Sequence, residues 1–385
     1  MSPFRIAIGP YRGSGSGIAT YTRHLVNALS AAGNDVLLFG YGVEALRTLI
    51  HKNVRLVDFG ADPVWLDRLG PHLTYRHVVR AASRFLVRSR NTYDLIHIPY
   101  PSAYLKLEAV PTAVTGWSYG SLLNRIQSGL RSFSAMGKVT GALGYASHYF
   151  IDSAAYRRAD LSVFTTSEAD SYWKRLTRRC RYVPCPVQVN GHSDTIVPRD
   201  EARVSFLMAE RNLESPRNHV TEFLRAVSIL PPRDCRRISL VLAGRGSERL
   251  VGPIAECRRR GAKVGLYDYL PQPEFLKLLE SVQATVQLKE IMEFGGYLTL
   301  EAQARAKAVV VAKGAAFSDL VRDKQTGLTV DPCNSSQISI ALSTLIEEDA
   351  TRSTLGENAR RFVTQMHSYQ AVAAALADTY ARLTG

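Results

Sequence analysis

The sequence predicts an α/β protein made of two doubly wound parallel sheets in tandem. Three observations lead there. Short apolar runs rich in Val, Ile and Leu recur along the chain; helical patterns separate them; and the alternation restarts after a polar, proline-containing stretch near the middle. A length of 385 residues is that of two ordinary domains.

The elements follow in order. Residues 5–8 read as a buried strand and 18–32 as an amphipathic helix. Further strands are expected at 36–39, 95–98, 112–115 and 161–165, with a long helical pattern around 122–158. The second series has strands at 204–208, 239–243, 284–288 and 309–312. Helices are expected near 218–229, 247–260, 274–281 and 298–306, and a last one at 369–383. The boundary falls in 184–203, where Pro184, Pro186, Gly191, His192, Ser193, Asp194 and Pro198 make a turn-rich segment. The expected organisation is a first domain over 1–185, a linker over 186–203, a second domain over 204–367 and a terminal helix over 368–385. Ligands of such sheets bind at the carboxyl ends of the strands, and two facing units are expected to form a cleft.

Composition narrows the function classes. Hydrophobic residues make up 46% of the chain, which excludes wholesale disorder, and 27 Gly with 17 Pro exclude collagen-like or low-complexity chains. Five scattered Cys form no disulfide framework, and Cys180 and Cys185 lack the second pair a zinc site needs. The thiols read as structural, in a reducing compartment. The least charged stretch, 109–124, is broken by Pro111, Gly116 and Gly120 and is too short to span a bilayer. The N-terminus runs into a strand-like 4–9 with no signal-peptide pattern, so a cytoplasmic protein is expected.

The formal charge of +14 is unevenly placed. Residues 1–190 carry 23 Lys+Arg against 11 Asp+Glu, and residues 191–385 carry 25 against 23. The excess in the first half points to an anionic partner there, or to a basic surface without one. Arg76, Arg80, Arg84 and Arg88 recur every four residues, so they share one helix face within 71–90. Tyr75, Val78, Val79, Ala82, Phe85 and Leu86 fall opposite. Such a helix can pack on its own domain with solvated arginines, or meet an anionic membrane surface.

Several loops have the residues of a phosphate site. The first strand leads into Gly13-Ser14-Gly15-Ser16-Gly17 and then a helix, where bare amides favour phosphate, or where the chain merely turns tightly. The spacing differs from a dinucleotide fingerprint, the second strand ends without an acidic residue, and no Walker lysine is present. In the second half Arg211 and Arg217 follow a strand and precede a helix. They are placed to hold a diphosphate, or to bridge Glu210 and Glu214. Gly244-Arg245-Gly246 permits a close backbone approach after another strand. The strongest signal is Glu293-Phe294-Gly295-Gly296-Tyr297-Leu298-Thr299-Leu300-Glu301. A Gly-Gly turn would aim amides and the positive helix end at an anion, while a carboxylate in the helix accepts from ribose-like hydroxyls. Two solvated glutamates flanking a helix is the bland alternative.

Taken in order, these elements resemble glycosyltransferase family 4, of the GT-B fold. The resemblance spans nearly the whole chain. It runs from the loop at Gly15-Ser16-Gly17 through Tyr93-Asp94-Leu95-Ile96-His97, Arg158-Ala159-Asp160 and Thr166-Ser167-Glu168. It continues through Arg211, Arg217, Gly244 and the Glu293…Glu301 pair to Asp319-Leu320-Val321 and Thr326-Gly327-Leu328-Thr329-Val330. It implies two Rossmann-like domains facing a cleft, a terminal helix that crosses back to the first domain, and metal-independent retaining transfer from a nucleotide-sugar without a further cofactor. By position, Glu301 would hold the ribose hydroxyls, and Arg211 and Arg217 the diphosphate. Glu293 and the amides of residues 294–297 would position the donor sugar, and Gly15, Ser16 and Gly17 would close on the phosphates. The basic first domain would bind the acceptor, for which a lipid-linked saccharide at the cytoplasmic membrane face is expected.

The chain departs from the family at Phe294 and Ala306, where Gly is usual, and at Leu298 and Ala308, where Pro is usual. Arg217 stands for a lysine, one residue late, and Trp117-Ser118 follow the strand that usually leads to an acceptor-side His. Trp117 either stacks on a sugar or fills a core. Two rival readings are a non-catalytic sugar-nucleotide or glycan-binding protein on a decayed transferase scaffold and a sugar-nucleotide epimerase. Nucleic-acid binding has no supporting motif.

Overall fold

The computed structural model describes residues 3–12, 17–63, 71–89, 92–103, 110–116, 135–177, 179–189, 202–289 and 296–384. They fall into two units. One joins the described residues of Met1–Val187 to those of Met366–Gly385; the other holds those between Gln188 and Gln365.

The first unit has a parallel sheet of β1 (Arg5–Arg12), β2 (Asp35–Tyr41), β3 (Arg55–Asp58), β4 (Leu95–Ile98), β5 (Thr112–Gly116), β6 (Leu161–Phe164) and β7 (Cys180–Tyr182). Their order is β3-β2-β1-β4-β5-β6-β7. The five inner strands are the apolar runs of the sequence. The edge strands β3 and β7 were not among those expected: they are short, and they set exposed charges (Arg55, Asp58, Arg181) beside half-buried residues instead of forming a buried run. Helix Gly17–Ala31 follows β1, helix Pro71–Arg88 precedes β4, and helix Ala135–Arg158 precedes β6. The N-terminal part of the long helical pattern, up to residue 134, lies outside the described residues.

Several first-half residues that carry the family resemblance tie strand ends. Asp94 accepts from the Arg5 amide at 2.8 Å and pairs with its guanidinium at 2.6 Å, which holds its carboxyl below the usual range. Asp160 accepts from Thr112 N at 2.9 Å, and Thr166 caps the helix Ser167–Trp173 by accepting from Ala169 N. That helix buries Trp173 against Tyr149, Tyr156, Phe164 and Tyr172.

The second unit repeats the scheme. Its parallel sheet holds β8 (Val204–Asn212), β9 (Ile238–Arg245), β10 (Lys263–Tyr267), β11 (Ala284–Gln287), β12 (Ala308–Ala312) and β13 (Leu328–Val330), in the order β10-β9-β8-β11-β12-β13. Helices Val220–Ser228, Val251–Arg259 and Ser335–Glu347 bury Phe223, Leu224, Ile254, Leu342 and Leu345 in its core. In both sheets the order reverses beside the first strand of the series. Such switch points, β1/β4 and β8/β11, open the crevices in which doubly wound sheets bind ligands.

Helix Pro71–Arg88 displays the expected division. Val78, Ala82 and Leu86 are fully buried in the first unit, and Arg76, Arg80, Arg84 and Arg88 are exposed. Among the described residues no helix is long and apolar enough to cross a membrane.

Candidate active site

In the second unit the carboxyl edge of the sheet gathers the expected charged residues. β8 stays in register with β9 up to Ala209↔Ala243 and resumes at Asn212↔Arg245, so one extra residue is accommodated between them. Gly244 makes this crossing possible. Its φ is +145°, and a Cβ there would stand 1.8 Å from the Glu210 carbonyl oxygen. The irregularity leaves Glu210 buried and Arg211 exposed.

Glu210 is held by Lys289, just beyond β11, with Nζ–Oε2 at 2.7 Å; its side chain is 2% exposed and that of Lys289 29%. Glu214 pairs with Arg249 at 3.4 Å. Both carboxylates thus have a basic partner other than the two arginines. Arg211 has no ion-pair partner among the described residues. Arg217 is half-buried in the 3₁₀ turn Pro216–Asn218. Asn212 Oδ1 accepts from Glu214 N at 2.9 Å, and Asn218 Nδ2 donates to Asn212 O at 2.6 Å. His219 then takes a left-handed φ of 51° before helix Val220–Ser228. Side-chain bonds thus fix the path from Arg211 to Arg217, which suits paired recognition of a diphosphate.

The other half of the edge is the helix Tyr297–Ala304, buried along its whole length. Gly296 enters it at φ 58°, a conformation glycine adopts without cost. Thr299 Oγ1 donates to Gln287 Oε1 at 2.8 Å, which pins the first turn to the end of β11. Glu301 is 3% exposed, and its Oε1 accepts from Gln272 Nε2 at 3.0 Å. It is therefore a buried, anchored carboxylate and not a solvated helix residue. The topology brings Arg211, Arg217, Gly244, Gly296, Tyr297 and Glu301 to one end of one sheet.

Gly17 belongs to the first unit, where it begins the helix after β1. Gly15, Ser16, Trp117, Ser118, Glu293, Phe294 and Gly295 lie outside the described residues. Sequence reasoning missed Lys289 and Gln272. A lysine directly after the apolar run 284–288 was the available signal for the first; Gln272, between two prolines, had none. Among the described residues, no cluster of three or more His, Cys, Asp or Glu side chains could hold a metal ion.

The departures at 306 and 298 have local consequences. Ala306 has φ 54° in the turn closing helix Tyr297–Ala304, with Lys307 N donating to Ala302 O and Ala306 N to Gln303 O, both at 3.0 Å. This is the C-terminal turn that glycine usually completes. Leu298, 7% exposed, packs in the first helical turn.

Near the carboxyl ends of β4 and β5 the first unit buries a neutral polar chain. Thr115 Oγ1 shares hydrogen bonds with Tyr21 OH at 3.0 Å and His97 Nε2 at 2.6 Å. His97 Nδ1 meets Tyr380 OH of the C-terminal helix Tyr369–Thr384 at 2.5 Å. Burial depresses the His97 pKa to about 3 and raises those of both tyrosines. His24 Nδ1 bonds Tyr369 OH at 2.7 Å, a second tie to that helix.

Comparison with known proteins agrees with this architecture. Residues 206–362, most of the second unit, match the family model of glycosyl transferases group 1. No curated protein matches. The sucrose-phosphate synthase tll1590 of Thermosynechococcus elongatus superposes with a TM-score of 0.74 at 18% identity, covering 98% of each chain. Anabaena Alr3699/HepE, in complex with UDP and glucose, gives 0.67 at 16%, covering 99% of this chain and 100% of its own. WaaG, a glycosyltransferase involved in lipopolysaccharide biosynthesis, gives 0.68 at 13%, covering 99% and 100%. The chain has the α/β, GT-B fold of these structures, and the match of residues 206–362 to the group 1 model gives its enzyme class as glycosyltransferase.

Proposed function

We propose that this protein is a retaining glycosyltransferase of family 4, which moves a sugar from a nucleotide-sugar to a lipid-linked saccharide at the cytoplasmic face of a membrane. The observation that carries the donor half of this reading is Glu301. A buried carboxylate fixed by Gln272, one turn into a helix pinned to the end of β11, is suited to accept from a pair of ribose hydroxyls. Arg211 and Arg217 bind the diphosphate and stabilise the charge that develops on it as the anomeric C–O bond breaks. The acceptor oxygen bonds to the same face of the sugar, and its proton leaves on the departing phosphate oxygen. By the family resemblance, the donor sugar is oriented by Glu293 and the amides of residues 294–297, the phosphates are covered by Gly15, Ser16 and Gly17, and the acceptor side is the role assigned to Trp117-Ser118. Neither a metal nor a further cofactor takes part.

The acceptor half rests on charge. The first half carries nearly all of the +14 excess, and Arg76, Arg80, Arg84 and Arg88 are exposed while the apolar face of their helix is used in the core. The fold likeness to WaaG makes a glycolipid the first acceptor class to test.

The test is a thermal-shift and nucleotide-release screen with UDP-, GDP- and ADP-sugars, beginning with UDP-glucose, the ligand of one HepE structure. One nucleotide is expected to stabilise the wild type, and Glu301→Ala to weaken that effect by about 10–100-fold, the worth of a hydrogen bond to a charged group. A chain that responds to none of these donors is the decayed-scaffold alternative. Flotation with anionic vesicles at low salt tests the membrane half; absence of binding would remove it.

A further inference from the structure

The first sheet has another concave feature, on the rim opposite its carboxyl ends. A cavity of about 440 Å³ opens where β6 and β7 begin, beside the final turns of helix Tyr369–Thr384. That volume lies within the roughly 300–1,000 Å³ of small-molecule sites. Leu161 and Leu383 supply apolar wall, and the charged lining consists of Lys174, Arg179, Arg181 and Arg382. Among the described lining residues there is no carboxylate.

Two of these cations have acidic neighbours outside the lining: Lys174 pairs with Asp170 at 2.9 Å and Arg382 with Asp378 at 3.0 Å. Arg179 and Arg181 flank Cys180 at the start of the edge strand, exposed, with no ion-pair partner among the described residues. Two positive charges are thus left uncompensated in one small cavity. The lining hydroxyls already serve their own helical turns, Thr177 donating to Trp173 O at 3.0 Å and Thr379 to Ala375 O at 2.6 Å. The donors offered to a ligand are therefore the ammonium and guanidinium N–H groups. A phosphate monoester complements them: it carries about −1.5 to −2 charge at pH 7 and three acceptor oxygens, which guanidinium forks engage in pairs.

We propose that this cavity is a second anion site, which binds the phosphate-monoester group of a small molecule or lipid headgroup on the rim of the first sheet away from its strand carboxyl ends.

The test is calorimetry of the full chain with inorganic phosphate and glucose 6-phosphate, glucose being the uncharged control, together with flotation on phosphatidic acid vesicles. One phosphate probe is expected to bind at one site per chain. Binding should fall at least tenfold in R179Q/R181Q, fall less in R179K/R181K, which keeps the charge but loses the forks, and be unchanged in Arg211→Ala. Arg382→Gln, on an exposed helix face, supplies a second weakened variant if the glutamine pair fails to fold by circular dichroism. Saturable binding of the soluble probes identifies a free phosphate ester as the ligand; vesicle binding alone, lost in R179Q/R181Q, identifies a lipid phosphate. Binding to neither, binding indifferent to Arg179, Arg181 and Arg382, or binding abolished by Arg211→Ala overturns the proposal.

Discussion

The two sheets repeat one strand order, and both reverse it beside their first strand, yet the carboxyl edges differ in what they bury. In the first unit Tyr21, Thr115, His97 and Tyr380 form a closed run of neutral hydrogen bonds. In the second, Glu210 is buried and paired with Lys289, Glu301 is buried and bonded to Gln272, and Arg211 is exposed near the end of β8. A satisfied neutral network holds a helix in place and offers little to an anion. Anchored carboxylates leave the exposed Arg211 charge on the same edge available to an anion. One doubly wound scaffold therefore forms a neutral clasp in one copy and a charged edge in the other, and the side chains at the strand ends decide which.

The largest expected effect tests the charged edge. Arg211→Ala should lower donor turnover by about 10²–10³-fold with little change in melting temperature, as for removal of a donor to developing charge. A large drop in melting temperature with turnover intact would make Arg211 structural and erase the contrast. Next comes Gly244→Ala. The added Cβ meets the Glu210 carbonyl at 1.8 Å, and φ is +145°, so the end of β8 must shift. A destabilisation of about 3 kcal/mol is expected from chemical denaturation, accompanied by weaker nucleotide binding.

The neutral edge is tested by pH. The folded pKa of His97, about 3, lies below its unfolded value, so between these values only the unfolded chain takes up the proton. The contribution is complete above about pH 6.5 and is lost as the pH falls toward 3, amounting to about 2 kcal/mol by pH 5. Denaturation curves of His97→Gln should lack that part of the pH dependence, with nucleotide binding unaffected. The smallest effect is a gain. Ala306→Gly relieves a left-handed alanine, and about 0.5–1 kcal/mol of added stability is expected in a thermal melt.

The contrast also explains what the sequence made legible. The buried inner strands announced themselves as apolar runs, because burial on both faces demands them. β3, β7, β10 and β13 did not, since these edge strands are short and only partly buried. Arg211, Arg217 and Glu301 could be singled out because strand ends and helix starts are readable positions. The partners that anchor the site, Gln272 for Glu301 and Lys289 for Glu210, are brought there by pairings across 29 and 79 residues, which no local pattern encodes. The same limit hid the clasp: His97 and Tyr380 are 283 residues apart.

That separation has a consequence for synthesis of the chain. The first unit is discontinuous, since its last helix is made only after the whole second unit. Domains usually fold in the order they leave the ribosome. Here the second unit has all its strands available while the first sheet still lacks the helix that supplies Tyr369 and Tyr380. Completion of the first unit is a late event with high contact order, and a stop codon or bulky fusion before residue 369 would leave it open while sparing its neighbour.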